Sequence, residues 1–301
     1  MVSVTNEKDS NVVSSPPTGF QVIFREFIKD KLATVSLIFI VLVIAYVFIM
    51  AYFVIDHGEL MRVSLRDKYA EPGAKFLLGA DQGGRDIFGQ LIVGAKNSLE
   101  IAIAVTLLTS VFGIVVGLIC GYFGGWIDNV IMRVIDFFIT IPSLMLIIVF
   151  ITIIPKYSQW DLVLIISLFG WTGITRLVRS KALSESRRDY VNASKTLGTN
   201  DYIIIFREIM PNLSSILIVD MTLSFAGNVG VETGLSFLGF GLPPDVPSLG
   251  NLVAYATNPI VLQKYWWCWL PAVLLILILM LAINYVGQAF RRAADAKQRL
   301  G

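Results

Sequence analysis

Six apolar runs separated by polar stretches organise the chain. The first, 32–55, holds about 24 mostly apolar residues, enough for one membrane crossing. Further runs occupy 98–120, about 129–154, a stretch beginning at Leu162, about 213–231, and 270–286. The fourth becomes polar over 172–176 and is therefore expected to project beyond the bilayer. Ahead of the first run, 20–31 is amphipathic and basic, suited to lying on a membrane surface, and follows a polar tail at 1–19. The first run is too long for a signal-peptide core and lacks a small-residue cleavage site, so it reads as an uncleaved span. The pattern predicts an all-α membrane protein with six transmembrane helices. Its segments are a tail and interfacial helix at 1–31, a first span at 32–55 and an extracytoplasmic loop at 56–97. A core at 98–290 and a basic tail at 291–301 complete it.

The polar stretch 187–211 stands out among these runs. It reads as a short helix, a glycine stop, a second short helix and a proline stop. Tyr190, Ala193, Ser194 and Leu197 fall on one face at helical spacing. Gly198 permits the positive φ that ends a helix sharply, Thr199 or Asn200 can cap the next one, and Pro211 is expected to close it. A soluble helix–turn–helix between apolar segments has no lipid to pack on, which suggests that something grips it from outside.

Composition sharpens this picture. Of 301 residues 55% are hydrophobic, above the 45–50% usual for soluble domains, and only 15% are charged. Cys120 and Cys268 lie in or beside apolar runs and suggest no disulfide framework. With His57 as the sole histidine, and with no GxxxxGK[ST], HExxH or GxSxG pattern, neither nucleotide binding by a phosphate loop nor catalysis is expected. Placing both tails, the turn near 121–133 and the 176–212 loop in the cytoplasm puts 16 of the 24 Lys and Arg there, as the positive-inside rule favours.

Three acids fall in or beside apolar runs. A carboxylate at bilayer depth costs roughly 2.5–3.5 kcal/mol on insertion scales and normally faces a partner or water. Asp136 has Arg133 at i−3 as a candidate partner, and a place on a solute pathway is the other reading. Asp220 leaves both readings open. Glu232, beside a glycine-rich turn, suits an anchor for that turn more than a solute contact. Pro142, inside the third run, is expected to kink its helix. Gly113 and Gly117 have the i,i+4 small-residue spacing of close helix packing.

The 187–211 stretch resembles the cytoplasmic loop of binding-protein-dependent ABC importer permeases, whose pattern is EAA, three residues, Gly, ten residues, Ile, one residue, Leu-Pro. Here Ala193, Gly198 and Ile209 stand at that spacing and Pro211 one position short of it, while Asn192, Ser194 and Met210 replace Glu, Ala and Leu. The segments 78–88 (LGADQGGRDIF), 94–99 (GAKNSL), 235–241 (LSFLGFG) and 247–250 (PSLG) are similar to the oligopeptide/dipeptide/nickel branch, as is the series Met132, Arg133, Asp136, Pro142. The likeness is to the second membrane subunit of that branch and implies a type I importer fold with a cytoplasmic coupling helix. It further implies a bacterial plasma-membrane protein working with a homologous permease, two ATPases and an extracytoplasmic binding protein. ATP and Mg would then be bound by the ATPases and no cofactor by this chain. Short peptides are the implied cargo, with nickel or another small solute as the alternative; lipid is a partner and nucleic acid is not. An ion-coupled carrier acting alone through Asp136 or Asp220 is the rival from another class. The glycines at 79, 83, 84, 239 and 241 are expected to shape outer-surface turns, with docking of the binding protein as a further reading.

Overall fold

Lipid offers no hydrogen bonds, so a membrane chain must satisfy its backbone internally, and this sequence does so with helices. The computed structural model describes residues 19–300, with side-chain surroundings at 24–56 and 58–294. The tail expected at 1–18 and the terminal Gly301 lie outside the described residues. Helix α1 (Gly19–Lys29) meets α2 (Lys31–Phe53) at Asp30, whose carboxylate caps α2 through the Ala33 N–H at 3.1 Å and pairs with Arg292 at 2.8 Å. A single turn, α3 (His57–Leu60), and an irregular segment lead to α4 (Ile87–Phe123). Then come α5 (Gly125–Thr140), α6 (Ser143–Ile153), α7 (Gln159–Gly170), α8 (Thr172–Glu185) and α9 (Asp189–Thr196). Next, α10 (Asp201–Ile203) passes through a π-turn at Ile204–Ile209 into α11 (Met210–Phe237). The short α12 (Leu249–Ala254) and α13 (Pro259–Lys264) precede α14 (Leu270–Leu300). Among the described residues four helices are long and apolar enough to cross a membrane, or up to six if each of two bent pairs is one span.

Several boundaries differ from the hydropathy pattern. Helix α4 begins at Ile87, inside the stretch expected to be loop, because Asp86 caps it by accepting from the N–H groups of Phe88 and Gly89. Its 37 residues span about 55 Å, well beyond the hydrocarbon thickness. The third run is a corner rather than a kinked rod, since α5 and α6 meet at 83°. Pro142 biases the preceding residue away from helical backbone, and Ile141 is extended at φ −100°, ψ 129°, which ends α5 at Thr140. The fourth run starts at a capping box between Ser158 and Asp161 and bends by 42° between α7 and α8.

Pro211 does not close the helix after Asn200; residues Asp201–Phe237 run as one 37-residue helix. A proline ring clashes with the carbonyl four residues back and brings no N–H. The π-turn, in which the Met210 N–H reaches back five residues to Ile205, widens the coil where that clash would fall.

The centre of the fold is α4, packed on α8, α11, α7 and α2. Helices in lipid associate through close packing, and small residues set how close. The expected pair Gly113 and Gly117 faces α8, extended by Gly121. A Cβ at Gly117 would lie 2.8 Å from the Thr175 carbonyl oxygen, and one at Gly121 would lie 2.7 Å from that of Arg179. Backbone meets backbone here with no room for a side chain. Gly117→Leu is expected to lower stability by about 1–3 kcal/mol or more, read as a drop in the melting midpoint of detergent-purified protein. Gly173→Ala, where an added methyl would meet nothing within 4 Å, should leave that midpoint unchanged or slightly raised.

Candidate functional site

Helix α9 sits at the end of the bundle where α8 stops, and its own sequence sets both limits. Arg188 is extended at ψ 153° and starts it, with Asp189 in the first turn facing the positive end of the dipole. Gly198 ends it at φ +80°, where the N–H groups of Gly198 and Thr199 reach the carbonyls of Lys195 and Ser194 at 3.0 Å each. Asn200 then caps the following helix by accepting from the Tyr202 N–H at 2.9 Å, so of the two candidate caps it is Asn200 that acts.

The four residues expected on one outer face divide. Tyr190 and Ser194 turn inward: the Tyr190 hydroxyl donates to Glu185 at 2.9 Å and accepts from Asn212 at 3.1 Å. The Ser194 hydroxyl lies 2.9 Å from both oxygens of Glu208. Burial, reinforced by the Glu185 carboxylate, raises the Tyr190 pKa above the ordinary phenol value, so it stays a donor. Val191 is sealed among Ile174, Val178, Ile204, Ile205 and Ile209. Ile209, matched to the importer-loop pattern in the sequence, is thus a core residue that fixes α9 to α11. Lys195 lies 4.4 Å from the centre of the Tyr122 ring, and the Tyr122 hydroxyl donates to Asp201.

Facing away from the chain are Asn192, Ala193, Leu197 at 85% exposure and Gly198. The start of the next helix adds Tyr202 at 67% and Ile203, with the exposed Pro211 farther along. A short helix is therefore clamped on its inner side and left bare on an apolar outer side. Sequence spacing could not separate the two sides, because Val191, one residue off the expected face, faces the core.

The acids resolve differently from one another. Asp136 pairs with Arg176 of α8, not with Arg133, because the neighbouring helix brings a guanidinium across the α5–α8 contact. One level away Asp128 holds Arg179 through two contacts of 2.5 Å. That pair lies 51 residues apart in sequence and left no local signal. Asp220 lines a cavity of about 360 Å³ with Lys181 and Arg291, with no cation within 4 Å among the described residues. Glu232 has no exposed surface; one oxygen accepts from the Ser236 hydroxyl at 2.8 Å, and the other has no partner among the described residues. It sits inside the packing.

At the opposite end the sequence signatures meet one another. Asp81 is buried and accepts from the N–H groups of Gly83 and Arg85, the Gln90 amide and the Tyr255 hydroxyl. Asn97 donates to the Pro247 carbonyl at 2.8 Å, and Ser98 accepts from the Leu249 N–H at 3.1 Å. Gly79, Gly83, Gly84 and Gly241 are buried, so these turns serve the interior, and only Gly239 of the five is exposed.

This geometry defines a class: a helical multi-pass membrane protein with a short helix at one end, clamped on its inner side and bare on its outer side. The family described as "binding-protein-dependent transport system inner membrane component" matches residues 113–300. The chain is 51% identical over 275 residues to the oligopeptide transport system permease protein OppC of Lactococcus lactis subsp. lactis (strain IL1403), covering 91% of this chain and 93% of that protein. It is 35% identical over 287 residues to the protein of the same name in Mycobacterium bovis, covering 92% and 94%. A putative peptide permease protein of Brucella ovis is 34% identical over 238 residues, covering 79% and 78%. The chain belongs to the family of binding-protein-dependent transport system inner membrane components.

Removing the inner clamp should free α9. Glu208→Ala deletes the acceptor of Ser194, and a hydrogen bond to a charged group contributes about 1.5–3 kcal/mol. Faster amide hydrogen exchange confined to 189–197, with the long helices unchanged, is the expected result.

Proposed function

We propose that this chain is one of two membrane subunits of an ATP-driven peptide importer, and that α9 is the part an ATPase subunit grips. The observation carrying the proposal is the two-sidedness of α9. Its inner side is locked to α8 and α11 by Tyr190, Val191 and Ser194, and its outer side leaves Ala193 and Leu197 bare beside Tyr202. A helix fixed so firmly passes a push from its outer face directly into the 37-residue helix from Asp201 to Phe237. The relatives named as oligopeptide permeases support peptide as the cargo.

In this reading ATP and Mg belong to two partner ATPases, a homologous permease completes the pathway, and a binding protein delivers peptide on the other face. The surplus of Lys and Arg around α9 and the two tails supports a cytoplasmic position for them, in a bacterial plasma membrane. The chain itself does no covalent chemistry. Its contribution is differential binding between two conformations driven by the ATPases.

Gly198→Val tests the coupling. A β-branched residue at φ +80° is strained, so the stop at 198 should loosen. Peptide uptake into proteoliposomes should fall about tenfold or more while insertion and assembly persist; unchanged uptake would show that the sharp stop is not needed. Leu197→Cys should cross-link to a cysteine placed on the ATPase surface, and capture only of neighbouring loops of this chain would sink the reading.

A further inference from the structure

A break in a helix at bilayer depth leaves peptide groups that lipid cannot satisfy, and such backbone is tolerated where it is buried in protein or lines a water-filled cavity. The α5–α6 corner is a break of this kind, flanked on both sides by apolar sequence. No backbone N–H among the described residues reaches the carbonyls of Ile139, Thr140 or Ile141. The N–H groups of Ser143 and Leu144 open α6 without an acceptor. The corner forms one wall of a cavity of about 380 Å³, completed by Phe138, Phe169, Thr172 and Asn228. Every residue lining it is uncharged.

Asn228 is the most informative of these. The Thr106 hydroxyl donates to the Ala102 carbonyl at 2.7 Å, so its oxygen can only accept from Asn228, at 2.8 Å. That assigns the amide nitrogen of Asn228 to the Thr106 side. The side-chain carbonyl oxygen and the second amide hydrogen then have no partner among the described residues. A neutral amide, free to accept and to donate, thus shares a wall-bound space with open backbone carbonyls and open backbone N–H groups. The chemical complement of that set is another peptide backbone, which alternates the same donors and acceptors.

We infer that this cavity binds the uncharged backbone of a peptide in transit, with Asn228 as its principal side-chain contact. The inference rests on the peptide-importer reading. It also predicts indifference to the charge of the peptide's side chains. Asp136 is engaged by Arg176 and Glu232 is sealed, so neither meets the cargo here, and a neutral lining favours neither acidic nor basic peptide side chains.

The test uses the full transporter in proteoliposomes. Asn228→Cys should react with a charged, membrane-impermeant methanethiosulfonate, and trialanine should slow that reaction. Leu164→Cys, on the apolar outward side of α7, is the control that should not react. The native thiols are buried, and burial pushes the Cys268 pKa up to about 12, so background labelling is low. Asn228→Asp should lower uptake of a glutamate-containing tripeptide about tenfold relative to its lysine-containing counterpart. Asn228→Leu should reduce uptake of both alike by about the same factor, the scale of a lost hydrogen bond. No labelling at 228, labelling that trialanine does not slow, or an unchanged ratio in Asn228→Asp would each overturn the assignment. Absence of peptide uptake by the unmutated complex would instead overturn the importer reading, and labelling at 228 separates the two failures.

Discussion

The contact on which the fold rests is the bare backbone apposition of α4 and α8 along Gly113, Gly117 and Gly121. Lipid tails are as apolar as leucine, so burying hydrophobic surface does not by itself draw two membrane helices together. Dispersion between closely fitted atoms does, and three glycines let it act over two turns. Because α8 runs through Ser186–Arg188 into α9, the position of α9 is inherited from this contact. The Asp128–Arg179 and Asp136–Arg176 pairs then set the height of α5 beside α8.

The two ends of the bundle are built by different physics. At the α9 end, polar side chains anchor one another over short distances: Ser194 on Glu208, Tyr190 between Glu185 and Asn212. At the other end, a folded loop is stitched through backbone groups. Asn251 alone donates toward three carbonyls, those of Leu242, Pro243 and Val246. There the Trp267 ring closes over Gly79, where an added Cβ would come within 2.6 Å of it. One end keeps a helix stiff and outwardly bare, and the other closes the bundle.

How much of this the sequence disclosed depends on the range of each cause. Apolar length is a local property, and each apolar run falls on helix, four of them on helices long and apolar enough to cross a membrane. A positive-φ glycine is local too, and Gly198 stops α9 as its position implies. The small-residue pair in α4 was legible, although its partner helix was not. What escaped was set by neighbours far along the chain. Arg176 reaches Asp136 across forty residues, and Val191 turns α9 so that Tyr190 and Ser194 face inward. Pro142 was legible as a disturbance, yet whether a proline bends a helix slightly or turns it through a corner depends on the space around it. Pro211 misled for the opposite reason, since a π-turn absorbed it. The role of Asn228 had no local mark, because an amide in an apolar run looks the same whether it is saturated or half free.

The π-turn has a consequence for chain length. Each residue advances a helix by about 100°, so an insertion or deletion between Gly198 and Leu213 would turn every later side chain of α11 by that angle against α4 and α14. The wide turn already absorbs the one offset that brings Ile209 under α9 while keeping Val229 and Ala226 in the interior. The two ends of this helix are therefore geared together at a fixed phase. A substitution along it alters one contact, whereas a change in the number of residues alters the phase of all those that follow.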